Sequence, residues 1–426
     1  MVKEWLDERF KLKEGFFKPV PLSTLHFWDW LGALAFMSFL MQGVTGILIA
    51  FHYVPLPDKA YESVQLIKNY VPYGQLLLSL HRYGAYSMIF LAFIHMLRNF
   101  IIGSYRKPRE ITWIVGMLMG IIALSSGFTG YLLPWSVISK MATDVGLGIL
   151  SEIPGINYIV SNVIYSSDAF LMQFFFITHV LLLPAVLTVL FMLKMWLFEV
   201  HGPYHTVESK KINWFPEAFS YFVMLSFYYM AFLLLLSSWL PADFPPKYTP
   251  EIASQYLPSP EWYFLWLYQI IKIEWIQKEG FYVFLIVLFI LLLSLILLPF
   301  IVKPGYERSI GEYAGAIMFS ELIVLSFWGN ITLGQSINLL EAIIIILGTG
   351  FFAALIIRAI KSIKFNVKSF KVLSAKNKAN LELFLSLLII IFTILALILS
   401  STFLMALDFL FSALIINIMK PWRDDK

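Results

Sequence analysis

Long apolar runs constrain this chain more than any other feature of its sequence. A run of about 18 or more apolar residues is long enough to cross a membrane as a helix. Hydrophobic residues make up 59% of the chain and charged residues 14%, which excludes an ordinary soluble protein, a disordered chain and a nucleic-acid-binding domain. The sequence therefore predicts an all-α, polytopic membrane protein. Ten apolar windows follow one another along it: 27–51, 76–102, 111–133, 170–198, 217–240, 280–301, 312–329, 336–360, 381–402 and 403–419.

The last two windows and the polar segments divide the chain. One helix over 381–419 would be about 58 Å long, which is too long for a single crossing. Either the chain turns near Ser400–Thr402 or its last part lies along the membrane interface. The predicted units are an N-terminal segment 1–26, a bundle of spans one to four over 27–210, spans five to eight over 211–360, a basic linker 361–380, and a tail of one or two extra helices over 381–426.

Positive charge predicts the side of the membrane that each connection faces. Lysine and arginine residues concentrate in the connections after spans two, four, six and eight. Cytoplasmic connections carry such an excess. These connections and the N-terminus are therefore expected in the cytoplasm, and the long connections 52–75, 134–169 and 241–279 outside a prokaryotic cytoplasmic membrane. The charged N-terminal segment lacks the pattern of a signal peptide, so we expect no removable signal.

Spans two and four carry ionisable residues at a regular interval. His81 and His95 are 14 residues apart in span two, so both lie on one helix face, about 40° short of four full turns and ~21 Å apart. In span four Lys194 follows His179 by 15 residues, which is about 60° past four turns and ~22 Å. Both spans run from outside to inside. We therefore expect an outer layer of His81 and His179 and an inner layer of His95 and Lys194.

Two such layers favour haem as the bound group. Ionisable residues inside a membrane are costly and usually functional, and paired imidazoles from facing helices can hold a haem axially. Hydrogen-bonded core histidines or a proton relay would explain a single histidine better, but two layers in register favour haem. The chain has no cysteine, which excludes disulfides, iron–sulfur ligation and thioether attachment of haem to this chain.

Glycines in the neighbouring spans repeat the same interval. Gly32 and Gly46 in span one are 14 residues apart, as are Gly116 and Gly130 in span three. A haem between helices needs close approach of the backbone, which glycine permits. Packing of small residues between membrane helices is the alternative explanation. Two pairs that match the histidine interval favour the haem interpretation.

Two arginines lie beside the ligand layers. Arg82 follows His81 directly, and Arg98 follows His95 by three residues. Haem propionates need cations near them, so both arginines are candidates for that role. Snorkelling of the side chains to the membrane interface explains them nearly as well.

Three motifs in this order resemble cytochrome b of the cytochrome bc complexes. They are SLHRYGAYSMIFLAFIHMLRNF, then KPREITWIVGMLMG with FTGYLLPW, and then PEWY at Pro260–Tyr263. The resemblance covers about 20–360. The first half looks closer to the chloroplast-type form, which is divided between two chains, whereas here both parts are fused. The tail from 381 on has no counterpart.

The resemblance implies eight core helices, a four-helix bundle with two non-covalent haems, and four further helices. Quinol would be oxidised near the outer haem and quinone reduced near the inner haem. His81 and His179 would ligate the outer haem, His95 one face of the inner haem, and Arg98 would meet a propionate of the inner haem. Haem b is the expected type, and a farnesylated haem such as haem A is the alternative.

The chain departs from the family pattern at two positions. Lys194 stands where the family has its fourth histidine, and His201 lies ~33 Å beyond His179, too far to replace it. Three interpretations stay open: Lys194 ligates iron as a neutral amine, the inner haem is five-coordinate with Lys194 near a propionate, or the inner haem is absent. The retained His95 argues against absence. Trp30 stands about where the chloroplast-type form has the cysteine that attaches an extra haem, so we predict no covalent haem.

PEWY indicates where quinol chemistry would take place. Quinol oxidation releases protons, so a proton acceptor is needed in an apolar pocket. Glu261, among aromatic residues, is the expected acceptor, although a glutamate in a connection is more often a solvated charge. By resemblance Tyr268 and Tyr131 line the same pocket, and interfacial anchoring is the alternative for both.

The inner quinone site is poorly determined by the sequence. His201 and Glu217, near the inner ends of spans four and five, could deliver protons there, but solvated interfacial residues are the better interpretation. Glu321 and Glu341 lie within spans seven and eight and have no assigned role, although intramembrane acids usually line a polar path or have a partner.

The predicted function is that of the quinone-reactive subunit of a quinol:acceptor oxidoreductase, of the quinol:cytochrome c reductase type, coupled to proton translocation. By resemblance its partners are a Rieske iron–sulfur protein, cytochrome c or another high-potential acceptor such as a terminal oxidase, membrane lipid and a second copy of the chain. A haem-free secondary transporter with buried His, Lys and Glu, and a di-haem membrane anchor for a dehydrogenase, are the alternatives.

Overall fold

The computed structural model describes residues 18–202, 204, 211–302, 308–362, 386–387 and 389–391. Within these residues, eight helices are long and apolar enough to cross a membrane, and they correspond to the first eight predicted windows. Most of the linker 361–380, most of the window 381–402, the whole window 403–419 and most of the N-terminal segment lie outside the described residues. The observed spans one to eight are Phe27–Ala50, Gly74–Ile102, Glu110–Leu132, Asp168–His201, Trp214–Trp239, Ile276–Ile296, Ile310–Ile331 and Leu339–Arg358.

Large apolar side chains cover the outside of the helices. Val189, Phe289 and Leu347 are 65%, 63% and 69% exposed. In a bilayer these side chains would face lipid, where a helix satisfies all its own backbone hydrogen bonds. The apolar exterior and the helical fold therefore agree with the composition.

The first four spans pack in pairs, with span one against span two and span three against span four. Span two also contacts span five, where the Tyr229 hydroxyl forms hydrogen bonds with Ser87 of span two (2.5 Å) and with Ser38 of span one (2.6 Å). Span seven packs against span two, span eight and the short helix Trp262–Ile271. Span two is therefore the central helix, in contact with both halves of the chain.

Span four is irregular where it passes the first predicted ligand. An α-helix over Asp168–Ile177 gives way to a π turn over Thr178–Leu182, and the α-helix resumes over Leu183–His201. A π turn takes up one extra residue, and such turns are frequent at functional sites. The 15 residues from His179 to Lys194 therefore cover about the same rotation as 14 residues of a regular helix.

The three long connections between spans contact one another on one side of the helices. Lys247 donates hydrogen bonds to Glu62 (2.7 Å), and Lys68 donates to Asp243 (2.6 Å). The Tyr248 backbone N–H donates to the Trp135 carbonyl oxygen (3.1 Å). The helices in these connections are Ala60–Tyr70, Val137–Ser151, Ile156–Asn162, Pro250–Ala253 and Trp262–Ile271.

A short antiparallel sheet lies beside the first turn of span five. It pairs strand β1 (Pro19–Pro21) with strand β2 (Lys211–Asn213). The remaining short helices are the 3₁₀ turns Leu22–Leu25 and Ile164–Ser166, the π turn Trp214–Ala218 that opens span five, and the helix Leu298–Ile301 after span six. Trp30, at the start of span one, stacks on Phe222 of span five with ring centroids 5.3 Å apart. Residues 19–21 and the first turn of span one are thus packed against span five and the strand before it.

Candidate functional site

His81 and His179 face each other across the bundle, as the sequence predicts. Their ring centroids are 6.2 Å apart and their planes meet at 77°. A bond from a metal to an imidazole nitrogen is about 2.0–2.1 Å long in zinc sites. The separation of the rings therefore suits two imidazoles on opposite sides of one metal ion. We call this pair the first layer.

Hydrogen bonds orient both rings of the first layer. The His179 Nδ1–H donates to the Ser126 carbonyl oxygen, 2.9 Å away. Thr45 donates its own hydroxyl hydrogen to the Met41 carbonyl oxygen (2.7 Å), so its oxygen accepts from His81 Nδ1, 3.0 Å away. With Nδ1 protonated in each ring, the lone pair of Nε2 is available to a metal, an arrangement typical of metal-ligating histidines.

A second layer lies further along the same two spans. It contains His95 of span two and Lys194 of span four, which interact electrostatically. One ring nitrogen of His95 is 3.0 Å from the amide nitrogen of Asn99, and the other, Nδ1, is buried without a hydrogen-bond partner. Buried polar atoms are nearly always paired. In this layer, the described residues leave one buried nitrogen without a hydrogen-bond partner.

Each of the four glycines that repeat at the 14-residue interval faces one of the four candidate ligands. A Cβ atom added to Gly46 would lie 3.1 Å from His81 Cε1, and one added to Gly130 would lie 2.5 Å from His179 Cε1. A Cβ atom on Gly32 would lie 2.9 Å from His95 Cε1. A Cβ atom on Gly116 would lie 3.0 Å from Lys194 Nζ. Side chains at these positions would fill the space that the ligands need.

The two arginines have different partners. Arg98 forms an ion pair with Asp29 at the start of span one. Arg82 donates to the Asp243 carbonyl oxygen (2.7 Å) and to the Tyr86 hydroxyl (2.9 Å), and its guanidinium lies 3.6 Å from the Glu261 carboxylate. Arg82 therefore links the first layer to the PEWY segment, a connection that the sequence did not reveal.

Glu261 lies in a polar cluster surrounded by aromatic rings. Its carboxylate accepts a hydrogen bond of 2.5 Å from the Tyr86 hydroxyl, and its side chain is only 12% exposed. Glu261 is also the residue before the helix Trp262–Ile271, where the positive end of the helix dipole favours a carboxylate. We call Arg82, Tyr86 and Glu261 the Glu261 cluster.

Tyr86 is a candidate functional residue that sequence reasoning missed. It follows Arg82 by four residues in span two, so the two side chains share one helix face. That interval was the available signal. Its partner Glu261 is 175 residues away in the sequence, and no local pattern connects such distant positions.

Two further tyrosines border the Glu261 cluster. The Tyr131 hydroxyl donates to the carbonyl oxygen of Ser259 (3.3 Å), the residue before Pro260. The Tyr263 ring lies 6.4 Å from that of Tyr86. Burial, and secondarily the Glu261 carboxylate, raise the pKa of Tyr263, which keeps its phenol neutral.

Tyr268 has its described contacts away from the Glu261 cluster. Its hydroxyl accepts from the Gly334 backbone N–H (3.4 Å), and the Lys272 ammonium lies 5.1 Å from the centre of its ring. Lys272 in turn donates to Thr332, with its Nζ 2.5 Å from the carbonyl oxygen. In its described contacts, Tyr268 therefore packs the helix Trp262–Ile271, which we call the PEWY helix, against the end of span seven.

The weaker candidates each retain an unpaired or unexplained polar group. His201 Nδ1 and Glu217 Oε2 are both buried without a hydrogen-bond partner among the described residues. The same holds for Glu321 Oε2 in span seven, whose carboxylate lies against Gly350 of span eight. Glu341 occupies the first turn of span eight, where a carboxylate is favoured by the helix dipole.

Known proteins resemble this chain over most of its length. A family model described as "Cytochrome b(N-terminal)/b6/petB" matches residues 86–250. Cytochrome b6 of Heliomicrobium gestii is 34% identical over 47% of this chain and 97% of its own length. The cytochrome bc complex cytochrome b subunit of Chlorobaculum thiosulfatiphilum is 31% identical, over 72% of this chain and 75% of its own length.

A further relative and a solved structure extend the likeness. Cytochrome b of Rickettsia prowazekii is 31% identical over 77% of this chain and 86% of its own length. A chain of a structure titled "Hyperthermophilic respiratory Complex III" superposes with a TM-score of 0.65, covering 84% of this chain and 96% of that one, at 23% identity. At that identity the superposition supports the fold.

The eight helices and the facing rings of His81 and His179 fit one class, the multi-pass membrane proteins that bind haem within a helix bundle. Within that class, the chain belongs to the cytochrome b family of bc-type complexes, which are oxidoreductases. The resemblance carried by the three sequence motifs is thereby confirmed, as is the all-helical membrane fold.

Proposed function

We propose that the chain is the quinone-reactive subunit of a quinol:acceptor oxidoreductase and that quinol is oxidised at the Glu261 cluster. One observation carries this proposal: a partly buried carboxylate is held by Tyr86 and Arg82 beside a layer of paired histidines. Family membership supports the same function and disfavours a haem-free transporter. The anchor for a dehydrogenase would not need the Glu261 cluster.

The residues of the cluster have separate roles in this proposal. Glu261 accepts a proton from the quinol hydroxyl, as a general base placed within hydrogen-bond reach of its substrate. Tyr86 orients the carboxylate through its hydrogen bond, and Arg82 places a positive charge beside it. Tyr131 closes the pocket next to Ser259, and Tyr268 supports the PEWY helix from behind.

The histidines hold haem in the proposed function. His81 and His179 would hold the first haem, His95 would contribute a ligand to the second, and the four glycines would leave room for both groups. Haem b, bound without a covalent link, is the proposed type. The two haems, when bound, supply a path for electrons between the two sides of the membrane. Arg98 lies beside the second layer, already paired with Asp29, and contributes positive charge there.

The opposite end of the bundle is the proposed site of quinone reduction. The unpaired buried atoms of His201 and Glu217 support this assignment. The Glu261 side is proposed to face the outside of a prokaryotic cytoplasmic membrane and the N-terminus the cytoplasm, so that protons are released outside and taken up inside. Residues 27–210 then form the haem bundle. Residues 211–360 form the second unit, which supplies the PEWY part of the quinol site.

Partners complete the proposed reaction. A Rieske iron–sulfur protein takes one electron from quinol, since this chain has no cysteine to hold such a cluster, and passes it to cytochrome c or another high-potential acceptor. The other electron stays in the membrane subunit. A second copy of the chain is proposed to complete the complex, as in the family.

The substitution Glu261→Gln tests the proposal in the purified complex. The amide keeps the size of the side chain but cannot accept the proton, so we expect quinol oxidation to fall about 100-fold, within the range of general-base effects. Glu341→Gln, a carboxylate outside the cluster, is the matched control and should leave the rate unchanged. Undiminished quinol oxidation by Glu261→Gln would contradict the proposal.

A further inference from the structure

Lys194 occupies in the second layer the place that His179 occupies in the first. Both side chains come from span four, and each faces a glycine of span three, Lys194 facing Gly116 and His179 facing Gly130. The π turn over Thr178–Leu182 compensates for the extra residue between them. The terminal nitrogen of Lys194 is therefore in register with the bundle's ligand positions.

The Lys194 ammonium has no counter-ion in the part of the chain that the structure describes. Among the described residues, no carboxylate lies within 4.0 Å of the Lys194 nitrogen, and no oxygen accepts a hydrogen bond from it. By contrast, buried Lys140 is ion-paired with Asp144 at 2.6 Å, and Lys272 donates to Thr332. An unpaired charge inside a membrane bundle is costly. We therefore expect another group to bind the Lys194 nitrogen and offset that cost.

We propose that the Lys194 amine is the axial iron ligand opposite His95 in the second haem. This inference rests on the two-haem assignment of the proposed function. Coordination uses the lone pair of the amine, so the ammonium releases its proton to solvent as the iron–nitrogen bond forms. The bound amine is then neutral, and Lys194 gains the partner that it lacks among the described residues.

Pairing of Lys194 with a haem propionate is the competing arrangement. Propionates need cations at the edge of the macrocycle, and Arg98 lies beside this layer with that charge. Lys194 instead faces the bundle interior at Gly116. Its Nζ lies 3.0 Å from where a Cβ atom added to Gly116 would be. The close approach to a glycine on the adjacent helix favours a position at the face of the macrocycle.

The test measures spin state and ligand type in the purified holo-complex by electron paramagnetic resonance and near-infrared magnetic circular dichroism. We expect two low-spin ferric haems, one of them with a charge-transfer band that differs from that of a bis-imidazole haem. In Lys194→Arg the charge remains but the guanidinium cannot ligate, so one of the two haems should become high-spin. In Lys194→His both should be low-spin with bis-imidazole bands.

The matched control is Lys140→Arg, since Lys140 is a buried lysine with its own ion pair, and its spectrum should equal that of the wild type. A high-spin haem in the wild type, or an unchanged low-spin spectrum in Lys194→Arg, would overturn the inference. If Lys194→Arg fails to retain haem, the wild type and Lys194→His decide, because identical near-infrared bands in the two would also overturn it.

Haem content separates this inference from the proposed function. One haem per chain with quinol oxidation intact would refute ligation by Lys194 and leave the role of Glu261 standing. Absence of both haem and quinol oxidation in a folded complex would refute the two proposals together.

Discussion

The two ligand layers differ in how the protein holds their nitrogen atoms. In the first layer, the Nδ1 atoms of His81 and His179 donate to Thr45 and Ser126. In the second, His95 has one unpaired ring nitrogen and Lys194 has no hydrogen-bond partner among the described residues. The protein alone therefore orients the first pair, whereas the described residues leave polar atoms of the second pair without a partner.

The largest expected effect comes from filling the space beside the first layer. In Gly130→Val the added side chain collides with the His179 ring, since even a Cβ atom would be 2.5 Å from it. We expect loss of the first haem and a fall in quinol oxidation of about 100-fold or more, because overpacking displaces a ligand as well as costing ~1–3 kcal/mol. Haem content and turnover of the purified complex measure both effects.

Gly43→Val is the control for that substitution. Among the described residues, no atom outside the local helix backbone and the adjacent residues lies within 4 Å of a Cβ atom at Gly43. This variant should therefore keep its haem and its activity. If Gly130→Val retained both haems and full turnover, the proposal that the first layer is a haem site would be wrong.

A smaller effect is expected from the hydrogen bonds that distinguish the layers. Thr45→Val keeps the shape of the side chain but removes the acceptor for His81 Nδ1. Loss of such a contact typically weakens metal binding about 10- to 100-fold, so the first haem should transfer faster to apomyoglobin. Asn99→Leu, beside the second layer, should change haem transfer less, because the ligands there are held by the bound group. Equal changes in the rate of haem transfer in the two variants would contradict the proposed difference between the layers.

The smallest effect concerns the link between the first layer and Glu261. Tyr86→Phe removes the hydrogen bond to the Glu261 carboxylate, and a hydrogen bond to a charged group contributes about 1.5–3 kcal/mol. Part of that is recovered through Arg82, so we expect quinol oxidation to fall about 5- to 10-fold, with haem content unchanged. The neighbouring Tyr83→Phe is the control, because no described hydrogen bond depends on the Tyr83 hydroxyl. A rate equal to that of the wild type would show that Tyr86 does not position Glu261.

Helical periodicity explains why the layers could be predicted and the Glu261 cluster could not. His81, His95 and the four glycines repeat at an interval close to four turns, so their sequence spacing predicts a shared face. Lys194 deviates by one residue, and only the structure shows the π turn that restores its register. The partners of Glu261 are 175 and more residues away, and such contacts depend on how whole helices pack. The described contacts of Tyr268 likewise depend on the end of span seven.

We propose that the bundle provides two haem sites, one at each layer. A pyridine haemochrome assay combined with protein quantification on the purified complex tests this most directly. We expect two non-covalent haems per chain in the wild type, and one after His179→Ala. A single haem in the wild type that survives His179→Ala, or no haem in a folded complex, would contradict it.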